Sequence, residues 1–70
     1  MSIGAKIKSL RKKNGMTQED LAKRLCISYQ AVSKWECGRT IPDISLIAPL
    51  TKIFNISADE LLGIVESQEK

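Results

Sequence analysis

Only three residues, Cys26, Ile27 and Ser28, separate two segments that carry apolar side chains at helical spacing: Leu21, Ala22 and Leu25 ahead of them, Ala31, Val32 and Trp35 behind. So short a link brings the second helix across the first, and Ala22 supplies a small side chain where they would meet. The ends of the pair are marked as well. Thr17 offers an N-cap oxygen, Glu19 and Asp20 fall in the first turn, and Lys23 and Arg24 fall in the last, all in keeping with the helix dipole. The first helix of the pair therefore spans about Gln18 to Leu25. Ser28 caps the second, Cys37-Gly38 ends it, and Trp35 belongs to the core.

The flanking segments are helical too. Ile3, Ile7 and Leu10 recur at helical spacing between Ser2 and Lys13, with Lys6, Lys12 and Lys13 outside and Asn14-Gly15 as a stop. After the loop "RTIPD", the pattern Ile44, Ile47, Leu50, Ile53, Phe54 predicts a fourth helix. Pro49 lies inside it, where an interior proline would cost about 3 kcal/mol or more, so a tight first turn is expected near Ser45 and regular helix from about Ala48 to Phe54. "SADE", Ser57 to Glu60, has the form of a capping box, with Leu61 and Leu62 expected inward and Gly63 at the C-cap. No alternating strand pattern and no internal repeat is visible. The expected fold class is all-α, a bundle of five short helices, in one domain over residues 1–63, with residues 64–70 as a loose tail.

The helix after Ser28 has a second face. Tyr29, Gln30, Ser33 and Lys34 line up opposite its apolar stripe, offering hydrogen-bonding tips of graded length with no carboxylate among them. Such a stripe is either an ordinary solvated surface or a surface made for a polyanion with readable edges. Charge is segregated along the chain. Residues 1–39 hold nine Lys or Arg against three Asp or Glu, a net +6, and residues 40–70 hold two against five, a net −3. That distribution fits a nucleic-acid face backed by an acidic scaffold.

Other classes find little support. No apolar run approaches the roughly 18 to 20 residues of a membrane span, and the start of the chain lacks the pattern of a signal peptide, so no membrane partner is expected and the expected location is cytoplasmic. Two cysteines and no histidine argue against a structural zinc site. The helix between Cys26 and Cys37 would hold their Cα atoms about 16 Å apart, whereas a disulfide needs less than about 7 Å, so both are expected as free thiols. With no histidine, no paired carboxylates on one face and no activated nucleophile, an enzyme is not expected; no cofactor or small-molecule ligand is implied.

The two close-set helices have the outline of a helix-turn-helix, and residues 16–63, "MTQEDLAKRLCISYQAVSKWECGRTIPDISLIAPLTKIFNISADELLG", resemble the Cro/repressor-type, Xre-like helix-turn-helix transcriptional regulators. "TQEDLAKRL", "SKWE", "GRTIPD" and "ADELLG" fall in that family's order and spacing. The resemblance implies a lambda-repressor-like DNA-binding domain, bound to a palindromic double-stranded operator as a homodimer and acting as a repressor. It also implies that the third helix enters the major groove, with Tyr29, Gln30, Ser33 and Lys34 facing bases. Gln30 has the amide geometry for adenine and Lys34 can donate to guanine. Gln18, at the start of the second helix, matches the family's phosphate clamp, while Ser28, Arg39 and Thr40 would hold the backbone on the other flank. Arg11 and Glu36 match a pair that forms an internal salt bridge. Cys26 stands where family members usually have glycine, at a position with φ > 0. The dimer surface is expected around Leu61 to Val65. An alternative function within the same fold is a protein-interaction module of antitoxin or anti-repressor type.

Overall fold

Hydroxyl side chains start four of the helices in the computed structural model, which describes residues 2–63. Ser2, Thr17, Ser28 and Ser57 each stand in extended backbone and accept a hydrogen bond from the backbone N–H three residues on, at 3.1, 3.0, 3.3 and 3.0 Å. Each satisfies a donor that the first turn of a helix leaves without a partner. The helices they open are α1 (Ile3–Lys13), α2 (Gln18–Leu25), α3 (Tyr29–Glu36) and α5 (Ala58–Leu62). At Thr17 the box is closed: the Thr17 N–H donates to the Asp20 carboxylate at 2.9 Å. The bonds from Thr17 hold the Asp20 carboxyl below the usual carboxylate range. At Ser57 only half of the expected box forms among the described residues, the bond from the Glu60 N–H.

The remaining helix, α4 (Ile47–Phe54), follows a single 3-10 turn over Ile44–Leu46. Asp43 caps that turn, its Oδ2 accepting from the Ser45 N–H at 3.0 Å and from the Ser45 hydroxyl at 2.6 Å. The tight turn expected near Ser45 is present, and α4 begins at Ile47, one residue earlier than expected. Pro49 is its third residue, among the first four whose N–H would have no partner within the helix, so the ring is accommodated without a lost bond. Ile44 leaves the apolar pattern. In the 3-10 turn it is 85 % exposed.

Ile7, Leu21, Val32 and Leu50 are fully buried, and Ala22, Leu25, Trp35, Phe54 and Leu61 complete the core. The helix α3 lies against both α1 and α2, while α5 joins α4 to α1. At Gly4 the backbones of α1 and α3 come so close that a Cβ would stand 1.8 Å from the Trp35 carbonyl oxygen. Leu62 corrects an expectation. It is 45 % exposed while its neighbour Leu61 is 1 % exposed, because adjacent residues of a helix point about 100° apart and a five-residue helix buries one stripe. Gly63 takes the C-cap of α5 with φ 77°.

The turn between α2 and α3 has the expected form. Cys26 is left-handed, with φ 60° and ψ 41°, and its N–H donates to the Ala22 and Lys23 carbonyls. The Ile27 N–H donates to the Ala22 carbonyl at 3.0 Å, which closes the end of α2. Both cysteines are free and exposed. Of the dimer surface expected around Leu61 to Val65, Leu61 is 1 % exposed and belongs to the core, while residues 64–65 lie with the rest of the expected tail, 64–70, outside the described residues. No described helix is long and apolar enough to cross a membrane.

Candidate nucleic-acid interface

Val32 and Trp35, one fully buried and the other 4 % exposed, fix α3 against the core. Their burial turns the opposite stripe outward. Tyr29 is 46 % exposed, Gln30 and Lys34 are exposed, and Ser33 is half-buried at the edge of the stripe. An α-helix with its side chains is about 10 to 12 Å across, which matches the roughly 12 Å width of a B-DNA major groove. Three tips of different reach thus project from one rigid helix.

Behind this stripe lies a polar network that ties the three helices together. Arg11, near the end of α1, donates from Nε to Glu36 Oε2 at 2.7 Å and from Nη2 to Glu36 Oε1 at 2.9 Å, and from Nη1 to the Met16 carbonyl at 2.8 Å. The side chains of Arg11 and Glu36 are 10 % and 4 % exposed. Gln18, the first residue of α2, adds a third donor to the carboxylate, from Nε2 to Glu36 Oε1 at 3.1 Å. Burial alone would push the Glu36 carboxyl up. The hydrogen bonds from Arg11 and Gln18, with the charges of Arg11 and Lys8, outweigh it and hold the carboxyl below its ordinary value. The hydrogen bond to Glu36, partly opposed by burial, raises Arg11 in turn. The expected Arg11–Glu36 pair is therefore present and charged.

The structure sets the candidate backbone-binding residues at two ends of α3. Gln18 and Tyr29 share a surface hollow with Arg11, Met16, Thr17 and Glu19, so the start of α2 and the start of α3 open on one place. Ser28 is exposed, its oxygen accepts from the Ala31 N–H, and among the described residues its hydroxyl hydrogen has no acceptor, which leaves it to donate outward. At the other end, the backbone N–H groups of Arg39 and Thr40 both donate to the Lys34 carbonyl, at 2.9 and 3.4 Å. Those bonds fold the chain back on α3 and leave both side chains exposed beside Lys34. The sequence carries no local signal for the bond from Gln18 to Glu36, because the two are 18 positions apart and only the meeting of α2 with α3 brings them together.

A second surface feature is apolar. Ile3, Ile41, Pro42, Ile44, Ile47 and Leu62 line a hollow, with Ile41 73 % and Ile44 85 % exposed. Among the described residues no group of His, Cys, Asp and Glu is placed to hold a metal ion.

Comparison with known proteins gives these features a context. The family model for the helix-turn-helix matches residues 7–61. The chain is 39 % identical over 63 residues to the HTH-type transcriptional activator BcrR of Enterococcus faecalis, a match covering 90 % of this chain and 31 % of that protein. It is 36 % identical over 70 residues to the HTH-type transcriptional regulator ImmR of Bacillus subtilis, covering 100 % of this chain and 55 % of the relative. The chain thus spans about a third and about half of the lengths of these two proteins. Among solved structures, the P22 c2 repressor in complex with a synthetic operator superposes with a TM-score of 0.82 at 34 % identity, over 89 % of this chain and 94 % of that one.

Proposed function

Because the chain belongs to the Xre/Cro-like helix-turn-helix family, we propose that it is a DNA-binding transcriptional regulator that reads double-stranded DNA with α3 in the major groove. The observation that carries the reading is the outward stripe of α3, held rigid by Val32 and Trp35 and free of carboxylates. Gln30 pairs its amide with an adenine edge, Lys34 donates to guanine O6 and N7, Tyr29 touches a thymine methyl or a phosphate, and Ser33 contributes a hydroxyl. Gln18 and Ser28 hold phosphates at one end of the helix, and Arg39 and Thr40 at the other. These contacts fix the position of α3, and the base contacts select the sequence.

The regulator acts as a symmetric dimer on a palindromic operator. The apolar hollow around Ile41, Ile44 and Leu62 supports this. It adjoins Ile3, next to the place where Gly4 meets the last turn of α3, so a two-fold contact there would put the carboxyl ends of both α3 helices near the dyad. Repression is the assigned effect, since occupying an operator excludes other proteins without any further contact. Selection of bound sequences from a random duplex pool tests the reading. It should enrich an imperfect inverted repeat with half-site centres about 10 bp apart or a multiple of it. Unpaired sites would argue for a monomer, and no enrichment would favour the interaction module.

A further inference from the structure

Three donors converge on one buried carboxylate, and only two of them belong to its ion pair. Glu36 is satisfied at both oxygens by Arg11, with bonds of 2.7 and 2.9 Å. Gln18 is additional, donating to the same Oε1 at 3.1 Å. The amide group of a glutamine is free to flip and its side chain to reorient when it is exposed to water. Here the Nε2 end is turned inward to a carboxylate that is 4 % exposed and itself anchored to α1. Among the described residues the Gln18 amide makes this one hydrogen bond, so its second N–H is left for an external acceptor. Gln18 lines an open hollow with Arg11, Thr17, Glu19 and Tyr29, which gives such an acceptor room to approach.

We propose that Glu36 is a positioning residue for DNA binding: it holds the Gln18 side-chain amide in one orientation before DNA arrives, so that the remaining N–H meets a backbone phosphate. This rests on the reading of Gln18 as a phosphate contact. The mechanism is preorganisation. A long side chain that must be immobilised on binding lowers affinity by up to about tenfold, and Glu36 has already removed that freedom. Arg11 contributes by keeping the carboxylate charged and fixed, and so acts through Glu36 and not on DNA. The arrangement also explains why an acid stands behind a surface meant for a polyanion: its charge is neutralised by Arg11, and its orientation serves Gln18.

The test is a double-mutant cycle in the full chain with four proteins: wild type, Gln18→Ala, Glu36→Gln and the double variant. Affinity is read by fluorescence anisotropy on a random-sequence duplex of roughly 20 bp at roughly 50 mM salt, where phosphate contacts dominate, and melting temperature is read alongside. Each single substitution should weaken binding about three- to tenfold, and the double variant should bind no more weakly than Gln18→Ala. The melting loss of Glu36→Gln should persist in both backgrounds. Losses that multiply, or a Glu36→Gln protein with unchanged affinity, would overturn the proposal. Should Gln18→Ala bind like wild type, the phosphate role of Gln18 and the proposal fail together; should wild type not bind the duplex, the DNA reading itself fails. If Glu36→Gln does not fold, NMR of the wild type decides. One Gln18 Hε2 proton should be shifted by the carboxylate and only the other should move on adding the duplex. Two protons at ordinary glutamine shifts that move together would refute it.

Discussion

Gly4→Ala sets two opposing effects on the same residue. Alanine is favoured over glycine within a helix by up to about 1 kcal/mol, less at the second residue of α1 than in its interior, so propensity alone predicts a small gain. The crossing of α1 and α3 predicts the reverse. The new Cβ would meet the Trp35 carbonyl oxygen at 1.8 Å and the Trp35 carbonyl carbon at 2.7 Å, and both are backbone atoms that no rotamer change can move. The helices must part by more than an ångström, which loosens Ile7, Val32 and Trp35 together. Forcing atoms into a packed core costs about 1 to 3 kcal/mol, occasionally more, and a clash with backbone atoms stands at or above the top of that range, so after the small propensity gain the net expectation is a loss of roughly 2 to 3 kcal/mol. For a domain of this size that lowers the melting temperature by roughly 10 to 20 °C. Thermal unfolding followed by circular dichroism reads it directly. Gly15→Ala is the control: at φ 69°, where among the described residues a Cβ would meet nothing within 4 Å beyond its chain neighbours, it should lose only about 1 kcal/mol, from conformation. A Gly4→Ala protein as stable as wild type would refute the close crossing and the packing argument built on it.

Removing Arg11 should be costlier than removing any exposed cation, since Arg11→Ala leaves the buried Glu36 carboxylate without its main partner, at about 3 kcal/mol or more; an unchanged melting temperature with lost DNA binding would make Arg11 a DNA contact instead. Acid should expose the same carboxylate. Glu36, Asp20 and Asp43 all have folded-state carboxyls below their ordinary values, so their stabilisation is complete above the usual carboxylate range and is lost as pH falls below about 4.5. Melting temperature against pH should fall less steeply for Glu36→Gln than for wild type, and equal slopes would count against the pair. Cys26→Gly should be neutral to mildly stabilising. Glycine relieves a left-handed strain of about 1 to 2 kcal/mol and adds unfolded-chain entropy worth about 0.5 to 1 kcal/mol, whereas Cys26→Val should destabilise. Because the Cys26 side chain is exposed, a clear loss in Cys26→Gly by chemical denaturation would contradict this account of the turn.

Much of the fold was legible because its boundaries are written in single residues. Thr17, Ser28 and Ser57 announce helix starts through side-chain chemistry that acts within three positions, and periodicity picked out Leu21, Ala22, Leu25, Val32 and Trp35 as core. What failed to be legible depended on distance in the sequence or on the length and type of a short helical segment. Nothing beside Gly4 in the sequence marks the place where α3 is laid across it. Leu62 and Ile44 look like core by composition, yet the short α5 has room for one inward leucine and the 3-10 turn carries Ile44 out of the stripe. For the candidate site, the stripe of α3 could be read from spacing alone, while the Arg11–Glu36 pair followed only from family resemblance. The link from Gln18 to Glu36 is a tertiary contact with no signal in either neighbourhood.

Selection from a random duplex pool, repeated with Gln30→Ala, decides whether α3 reads base sequence. The side chain is exposed, so the substitution leaves the core and the proposed phosphate-binding residues in place. The variant should enrich the same inverted repeat as wild type with preference lost at one base position in each half-site, at a cost of roughly 1 to 3 kcal/mol on the wild-type site. A Gln30→Ala protein that selects the wild-type sequence unchanged, at every position, would contradict the assignment of this face to DNA.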